Sequence, residues 1–443
     1  YCHPLDTSQD TTSRVLDRRT FTLGVLNGGA YTLAVACIDP ETLLPAFAVS
    51  ISDNVIWVGL LSGLFAAGWY WPQIFASRTF ETSPALMPHY RISAVVRVLC
   101  VGAIPVVVYL WGATHPVLAI SLVSVLLLAF SSAGGYGLIP FMTVSRDAMP
   151  ATMLGAYFGL RYLLGGLLAF AVGFWIEDVL ADDSAIHFPT NYALVFAVGA
   201  LVFTLSSVLF AVVKERPRTP SKHALSMRMH LVRAWRMVRD NLNMQRLARA
   251  RVLYHAAVGL SYPFVVPFAL KVLGMSPAVV GILLSLKVAS YSIANILWGR
   301  LSDNRGNREQ LIASSGTLLL VPAFTLISPY LPDDALFRIG GTAVSWQFVS
   351  IALAIMLVGA SASGQLLGFN AFLLEMLPPR RRSTFMGAFY LMVLPTAAVP
   401  IIGAAAIGTS DDFALGMIVS GVLGLLMTLQ IVHLREVRET QGS

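Results

Sequence analysis

Long apolar runs, repeated from one end of the chain to the other, constrain this sequence more than any other feature. A bilayer core of about 30 Å needs roughly 20 apolar residues per helix. The runs lie near residues 21–50, 55–77, 92–112, 117–144, 152–176, 192–213, 252–272, 278–299, 310–331, 345–374, 383–406 and 412–433. Lipid does not satisfy backbone polar groups, and no run alternates like a strand. We therefore predict an all-α membrane protein with about twelve transmembrane helices.

The composition agrees with this prediction. The chain is 56% hydrophobic and 12% charged, whereas a soluble chain carries about a quarter charged residues. Its mean hydropathy is +0.72. A soluble core of this size cannot hide so much apolar surface, so lipid must cover part of it.

Basic residues between the runs indicate the topology. With a cytoplasmic amino terminus, the inside segments hold 25 of the 30 Lys and Arg residues, and the outside connections hold only Lys271 and Arg338. The positive-inside rule therefore predicts that both termini are cytoplasmic. This distribution accounts for the net charge of +7 without a nucleic-acid partner. The excess of arginine over lysine, 26 to 4, is typical of GC-rich bacterial genomes, so we expect a bacterial inner (plasma) membrane.

Unusual residues recur at a nearly constant offset, which indicates an internal repeat. A shift of 222 positions superposes Pro45 on Pro267 and Arg78 on Arg300, and shifts of 228 and 232 superpose later segments. Both halves keep the same inside-out sense, so we predict two parallel six-helix repeats. The predicted segments are a tail 1–20, a first half 21–213, a linker 214–250, a second half 251–434 and a tail 435–443.

The linker contains a helical stripe of apolar residues with arginines beside it. Leu231, Trp235, Val238 and Leu242 recur at helical spacing. Such a basic amphipathic helix is typical of the cytoplasmic headgroup surface. Binding to a calmodulin-type or other partner protein is the alternative.

The segment after the eighth run carries a recognisable motif. It reads Gly299-Arg-Leu-Ser-Asp-Asn-Arg-Gly-Asn-Arg308. This string resembles the loop signature of the major facilitator superfamily, a Gly-x-Leu-Ala-Asp-basic-x-Gly-basic-basic string, at Gly299, Leu301, Asp303, Gly306 and Arg308. Asn304 and Asn307 stand where the family has basic residues. The resemblance implies a secondary transporter of a small organic solute that works by alternating access.

The same resemblance implies a gate. In the family, the acid of this loop faces the amino terminus of a helix in the other half, where the helix dipole favours it. Asp303 would then face the start of the fifth helix. The first-half copy of the motif, Ser77 to Glu81, keeps only a small residue and an acid. By the resemblance, Glu81 would face the start of the eleventh helix near 380–382. An ordinary solvated turn is the alternative.

Several ionisable residues fall inside the runs, where charges are rare and usually functional. The resemblance places the first, fifth and eighth helices around a central cavity, which makes Asp39, Arg161 and Lys287 candidate site residues, with Glu41 beside them. Arg97 in the third run is expected to snorkel to the cytoplasmic surface. Gln365 and Asn370 in the tenth run could orient a ligand or bond to a neighbouring helix. His255 is expected to lie at the interface.

These charges leave two mechanisms open. Asp39 could take a proton and couple transport to the proton gradient, or Arg161 and Lys287 could hold an anionic substrate group with Asp39 as counter-charge. The alternative to both mechanisms is a structural ion pair that fixes the packing of the helices. The fifth run lacks the Gly-Pro element of the family's drug–proton antiporters, which weighs against that subclass. The fourth run lacks the family's usual buried arginine, which weighs against proton coupling.

Other classes of function have less support. The sequence contains no His-Glu-x-x-His string and no clustered His/Cys set, so we predict no enzyme activity, no metal and no cofactor. A transporter-like sensor or a lipid-handling protein without solute transport remains an alternative. The expected partners are the lipid bilayer, a small-molecule substrate and, if transport is coupled, protons. The expected state is a monomer.

Overall fold

The computed structural model describes residues 18–150, 153–215, 229, 232, 235, 236, 238–339, 342–376, 389–408 and 412–436. The side chains at 74, 77, 78, 81, 82 and 374 are outside this description. Most of the predicted amphipathic linker helix also lies outside the described residues, so that helix and the segment boundaries stay predictions.

The described residues form two successive sets of helices. The first half contains α1 (Arg18–Ala36), α2 (Leu43–Ile51), α3 (Ile56–Thr82), α4 (Met87–Trp111), α5 (Pro116–Ala148), α6 (Leu154–Leu180) and α7 (Thr190–Ala211). The second half contains α8 (Leu242–Lys271), α9 (Val279–Arg305), α10 (Asn307–Ile327), α11 (Trp346–Met376), α12 (Val399–Ile407) and α13 (Ala414–Val432). A 3₁₀ turn, Leu394–Ala398, leads into α12. A short hairpin, β1 (Phe337–Ile339) and β2 (Thr342–Val344), connects α10 to α11.

The helices confirm the all-α membrane fold. Ten described helical segments are long and apolar enough to cross a bilayer, and helix occurs within every one of the predicted runs. The prediction of one long helix over 21–50 is wrong, because the chain leaves the helix after Ala36 and re-enters one at Leu43. Pro40 lacks a backbone N–H and disfavours helical geometry in the residue before it, so the break falls there.

The seventh run begins earlier than the sequence predicts. Helix α8 starts at Leu242, ten residues before the predicted start at 252, and the side chain of Asn241 caps it by accepting a hydrogen bond from the Met244 N–H at 3.1 Å. The apolar pattern alone missed this first part because residues 245–251 carry three arginines. Residues such as His255 therefore lie deeper along the helix than expected.

The two ends of the bundle differ in how the halves meet. We call the end that carries the β-hairpin the hairpin end, and the end that carries the α9–α10 connection the motif end. Towards the hairpin end, α6 packs against α9 and α3 against α12. A Cβ at Gly281 would lie 2.2 Å from the carbonyl oxygen of Gly173, so these helices touch backbone to backbone. The Lys271 ammonium also donates to the carbonyl of Asp53 at 2.7 Å. These contacts join the halves at the hairpin end.

At the motif end, each half uses a glutamate to cap a helix. The carboxylate of Glu215 accepts the Leu86 and Met87 N–H groups at 2.7 and 2.9 Å, where α4 begins. The carboxylate of Glu436 accepts the Arg308 N–H at 2.9 Å, where α10 begins. An anion at a helix amino terminus satisfies unpaired N–H groups and the helix dipole. Both members of the pair recur after 221 positions, which agrees with the predicted repeat.

Candidate functional site

The interruption between α1 and α2 is built around one carboxylate. Asp39 is 9% exposed. Its Oδ1 accepts the N–H groups of Glu41 and Thr42 at 3.0 and 2.9 Å and the Thr42 hydroxyl at 2.9 Å. The carboxylate thus replaces helical hydrogen bonds that the break removes. The local sequence Asp39-Pro40 therefore creates a polar element inside an otherwise apolar span.

The second half contributes a cation to this carboxylate. Lys287 of α9, also 9% exposed, places its Nζ 2.8 and 2.7 Å from Oδ1 and Oδ2 of Asp39. The same Nζ lies 2.6 Å from Oε2 of Glu41. One ammonium therefore holds two carboxylates, and all three side chains are largely removed from solvent. The Asp39–Lys287–Glu41 cluster, which we call the ion cluster, carries a formal charge of −1.

Close helix packing fixes the lysine. Gly359 of α11 lies against the Lys287 backbone, where an added Cβ would meet the lysine carbonyl oxygen at 2.3 Å. The Ser290 hydroxyl bonds to the carbonyls of Lys287 and Met356 at 2.9 and 2.7 Å. Since α9 and α11 are held together in this way, the ammonium has a defined position from which it reaches across to the first half.

A second polar contact between the halves lies nearer the motif end. The Tyr70 hydroxyl of α3 lies 3.2 Å from Nδ1 of His255, and the Tyr70 ring stacks on Tyr390 with centroids 5.8 Å apart. The expectation that His255 lies at the membrane interface is wrong, because α8 begins ten residues earlier than predicted. His255 follows Leu242 by about 20 Å of helix and faces the other half. Sequence reasoning had no signal for Tyr70.

Arg161 lies in a different place from the ion cluster. Its guanidinium, on α6, donates to the Gly24 carbonyl, to Asn27 Oδ1 at 3.0 Å and to the Tyr157 hydroxyl at 3.2 Å. Asn27 lies nine residues, or about 13 Å of helix, before the end of α1 at Ala36, and Asp39 lies beyond that end. The structure thus brings Lys287 to Asp39 and Glu41 and keeps Arg161 inside the first half.

Arg97 also points into the first half, so the expectation that it snorkels is wrong. Its Nη2 donates to the Tyr31 hydroxyl at 3.3 Å, and its guanidinium lies over the rings of Phe130 and Phe203 at 4.5 and 4.6 Å. Helix α4 begins at Met87, five residues before the predicted run, which places Arg97 about 15 Å along the helix. Stacking on aromatic rings replaces the interfacial water that snorkelling would supply.

The remaining predicted site residues occupy separate positions. The Gln365 amide nitrogen donates to the hydroxyl of Ser314 at 2.8 Å, so it links α11 to α10. Asn370 is half-buried nearer the motif end of α11.

The predicted gating loop is described in its second-half copy. Gly306 has φ +93°, which glycine adopts readily, and it ends α9. Next to it, Arg308 donates to the Val432 carbonyl at 2.7 Å. Asp303 is exposed, and no described atom lies within 4 Å of a Cβ built at Gly299. The side chain of Glu81 and residues 380–382 lie outside the described residues, so the gate stays a prediction.

Comparisons with known proteins agree on one class. The Major Facilitator Superfamily model matches residues 247–443. A crystallised mutant of the nucleoside transporter NupG has a TM-score of 0.69 at 11% identity, covering 94% of this chain and 100% of that one. The xylose transporter XylE from E. coli has a TM-score of 0.64 at 13% identity, covering 95% and 98%. A POT family transporter has a TM-score of 0.64 at 13% identity, covering 93% and 95%. Comparison with curated protein sequences gives no match.

The described helices form two successive sets joined through buried polar contacts, and ten of the helical segments are long and apolar enough to cross a membrane. Residues 247–443 thus match the major facilitator superfamily, and nearly the whole chain shares the fold of solved transporters.

Proposed function

We propose that this protein is a secondary transporter of the major facilitator superfamily, which moves a small organic solute through a bacterial inner membrane by alternating access, coupled to protons through the ion cluster. The observation that carries the proposal is that the cluster has members in both halves. Asp39 and Glu41 come from the first span and Lys287 comes from α9. Any rocking of one half against the other at this level changes the distances among the three charges.

The charge of the cluster supports proton coupling. Two carboxylates facing one ammonium leave one negative charge, and an uncompensated charge in a dry interior is unfavourable. A proton or a cationic group of the solute neutralises it. Binding of that positive charge then weakens the hold of the carboxylates on Lys287 and allows the halves to separate.

The side on which the halves meet supports an inward-facing assignment. Under the proposed topology both termini are cytoplasmic, so the hairpin end faces outwards. The Gly173–Gly281 contact and the Lys271–Asp53 bond join the halves at that end. In the cycle we propose, solute reaches the site from the motif end, and the hairpin-end contacts open after the ion cluster has released.

Purified protein in proteoliposomes tests the proposal. A pH-sensitive dye inside the vesicles reports proton movement when sugars, organic acids, nucleosides or amphiphilic drugs are added one class at a time. We expect at least one solute to move protons, and Asp39→Asn to abolish this signal. Asp178→Asn, at an exposed aspartate near the end of α6, is the matched control and should keep it. Proton flux that survives Asp39→Asn would end the coupling proposal.

Solute exchange without a gradient separates transport from coupling. A transporter that has lost only its proton site still exchanges labelled for unlabelled solute across the vesicle membrane. We therefore expect Asp39→Asn to retain exchange. If no solute class is exchanged by the unmodified protein, the transport proposal itself is wrong, and the sensor alternative gains support.

A further inference from the structure

A cavity of about 230 Å³ lies inside the first half, apart from the ion cluster. Helix α1 packs with α6 and α7, helix α5 packs with α3 and α4, and α1 and α5 barely touch. The cavity fills the space between these two groups of helices. Neither member of the Asp39–Lys287 pair lines it, whereas Arg97 and Arg161 both do.

No described carboxylate forms an ion pair with either of these two arginines. Within the part of the chain that the structure describes, Arg161 bonds to a carbonyl, an amide oxygen and a phenol, and Arg97 bonds to a phenol. Arg161 is 8% exposed, and Nε of Arg97 is buried without a hydrogen-bond partner. Buried charges are normally paired or bound to ligand. The cavity thus has a formal charge of +2 that the described residues leave uncompensated.

Glycines make room for both guanidinium groups. A Cβ at Gly28 of α1 would lie 2.6–2.8 Å from Cβ, Cγ and Nε of Arg161. A Cβ at Gly134 of α5 would lie 3.4 Å from Cζ of Arg97. The helices on both sides therefore accommodate an arginine directed into the space between them, rather than one extended towards the membrane surface.

The walls indicate what the ligand carries besides negative charge. Aromatic side chains surround the space: Tyr31, Trp69, Tyr90, Phe141, Phe158 and Tyr162. An apolar cavity of roughly 150 Å³ holds benzene, so this cavity holds one aromatic ring with an acidic group attached. Guanidinium groups bind carboxylate and phosphate through paired N–H donors. The site therefore fits a compact, apolar organic anion.

We propose that the cavity between α1 and α5 binds the carboxylate or phosphate of an aromatic organic anion through Arg97 and Arg161. The inference rests on the proposed function and deepens it, because the anion is the transported solute or the part of it that is recognised. It also explains the division of charge in the protein. The positive cavity receives the solute anion, and the negative ion cluster receives the proton.

Direct binding to purified protein tests the site without any transport. Isothermal titration in nanodiscs of phosphatidylcholine uses benzoate and phenyl phosphate as probes and benzamide as the neutral analogue of benzoate. We expect one or both anions to bind and benzamide not to bind. Arg161→Gln and Arg97→Gln should each weaken anion binding at least about tenfold, since each removes a charge-assisted contact. Arg91→Gln, at an exposed arginine on the same helix as Arg97, should leave the affinity unchanged.

A pair of neighbouring glycines provides variants that keep both charges. Gly28→Ala places a methyl group against Arg161, and Gly29→Ala places one against Leu164 at 2.7 Å, on the same partner helix. Both disturb the α1–α6 contact to a similar degree. Loss of anion affinity in Gly28→Ala but not in Gly29→Ala shows that the guanidinium position matters. Equal loss in both shows that packing alone was disturbed, and contradicts the proposal.

Anionic lipid is a second source of the same chemistry, and nanodiscs that contain phosphatidylglycerol distinguish it. If lipid phosphate occupies the cavity, these nanodiscs suppress benzoate binding, and the purified protein retains phosphatidylglycerol that Arg161→Gln loses. If solute occupies it, the two nanodisc types give the same affinity. Failure of either anion to bind, together with no arginine-dependent lipid, overturns the proposal. Solute exchange in proteoliposomes would still be observed in that case, so the transport proposal is tested separately.

Discussion

Removing the ammonium from the ion cluster should destabilise the protein in a way that a second, neutralising substitution reverses. Both carboxylates lie within 2.7 Å of Lys287 Nζ, so the bonded oxygens of Asp39 and Glu41 are no more than about 5 Å apart. At an effective dielectric of about 20, two like charges at that distance repel by about 3 kcal/mol. Breaking a buried pair by removing one partner costs about 3–5 kcal/mol. We therefore expect Lys287→Met to lower stability by about this amount.

The companion variants make the argument quantitative. Glu41→Gln removes an attraction to Lys287, a repulsion from Asp39 and the desolvation cost of one buried carboxylate, so it should destabilise the protein less than Lys287→Met does. In the double variant Lys287→Met/Glu41→Gln the repulsion is gone, and we expect it to be about 2–3 kcal/mol more stable than Lys287→Met alone. Asp39 keeps its backbone hydrogen bonds from Glu41 and Thr42 in every variant.

Thermal unfolding in detergent, followed by tryptophan fluorescence, measures these differences as shifts of several degrees in Tm. Lys214→Met, at an exposed lysine, controls for the loss of one ammonium from the chain. The reasoning fails if Lys287→Met melts with the unmodified protein, or if adding Glu41→Gln lowers the Tm of Lys287→Met further.

Two other predictions concern the parts of the fold that hold the site. Glu215→Gln and Glu436→Gln should each lower the free energy of unfolding by about 1–2 kcal/mol, because each removes an anionic acceptor from a helix amino terminus. Matching losses of Tm in both variants, with none in Asp178→Asn, would support the repeat. An unchanged Tm in either variant would refute the capping role. Gly281→Ala forces a methyl group onto the facing α6 carbonyl at 2.2 Å and should lower the Tm clearly, whereas Gly316→Ala, with open space around it, should not. Equal melting of those two alanine variants would mean that the hairpin-end contact does not hold the halves.

The sequence predicts the fold well because lipid makes the apolar pattern explicit. Every predicted run contains helix. The apolar pattern does not predict the start of a helix where its first turns carry polar residues. Such turns extend beyond the bilayer or direct their polar side chains into the protein. Two helix starts are therefore predicted too late. Helix α8 begins with several arginines, and α4 begins with a histidine and an arginine. Both errors misplaced a residue that matters, His255 in one case and Arg97 in the other.

The candidate site is predictable in its members but not in their grouping. Charged residues inside apolar runs are rare, which is why Asp39, Glu41, Arg161 and Lys287 are identifiable at once. Which of these side chains contact each other depends on the depth and rotation of each helix. Neither quantity can be predicted from a single sequence. The structure pairs Lys287 with the two carboxylates and places Arg161 and Arg97 on one cavity. The described partners of these arginines are uncharged, so a search for opposite charge does not find them.

The internal repeat separates the charges that the architecture needs from those that it does not. The capping glutamates occur in both halves at the same offset, so duplication of the fold explains them. The charges of the two candidate sites have no such copies. At the offsets of the repeat, Asp39 corresponds to Ser261, Lys287 to Phe65, Arg97 to Leu319 and Arg161 to Val393. Each half therefore folds without a charge at the position where the other half buries one. A buried charge is costly, and the equivalent position in the other half omits it. This difference favours the proposed recognition of a solute and of a proton over a role in the shared fold.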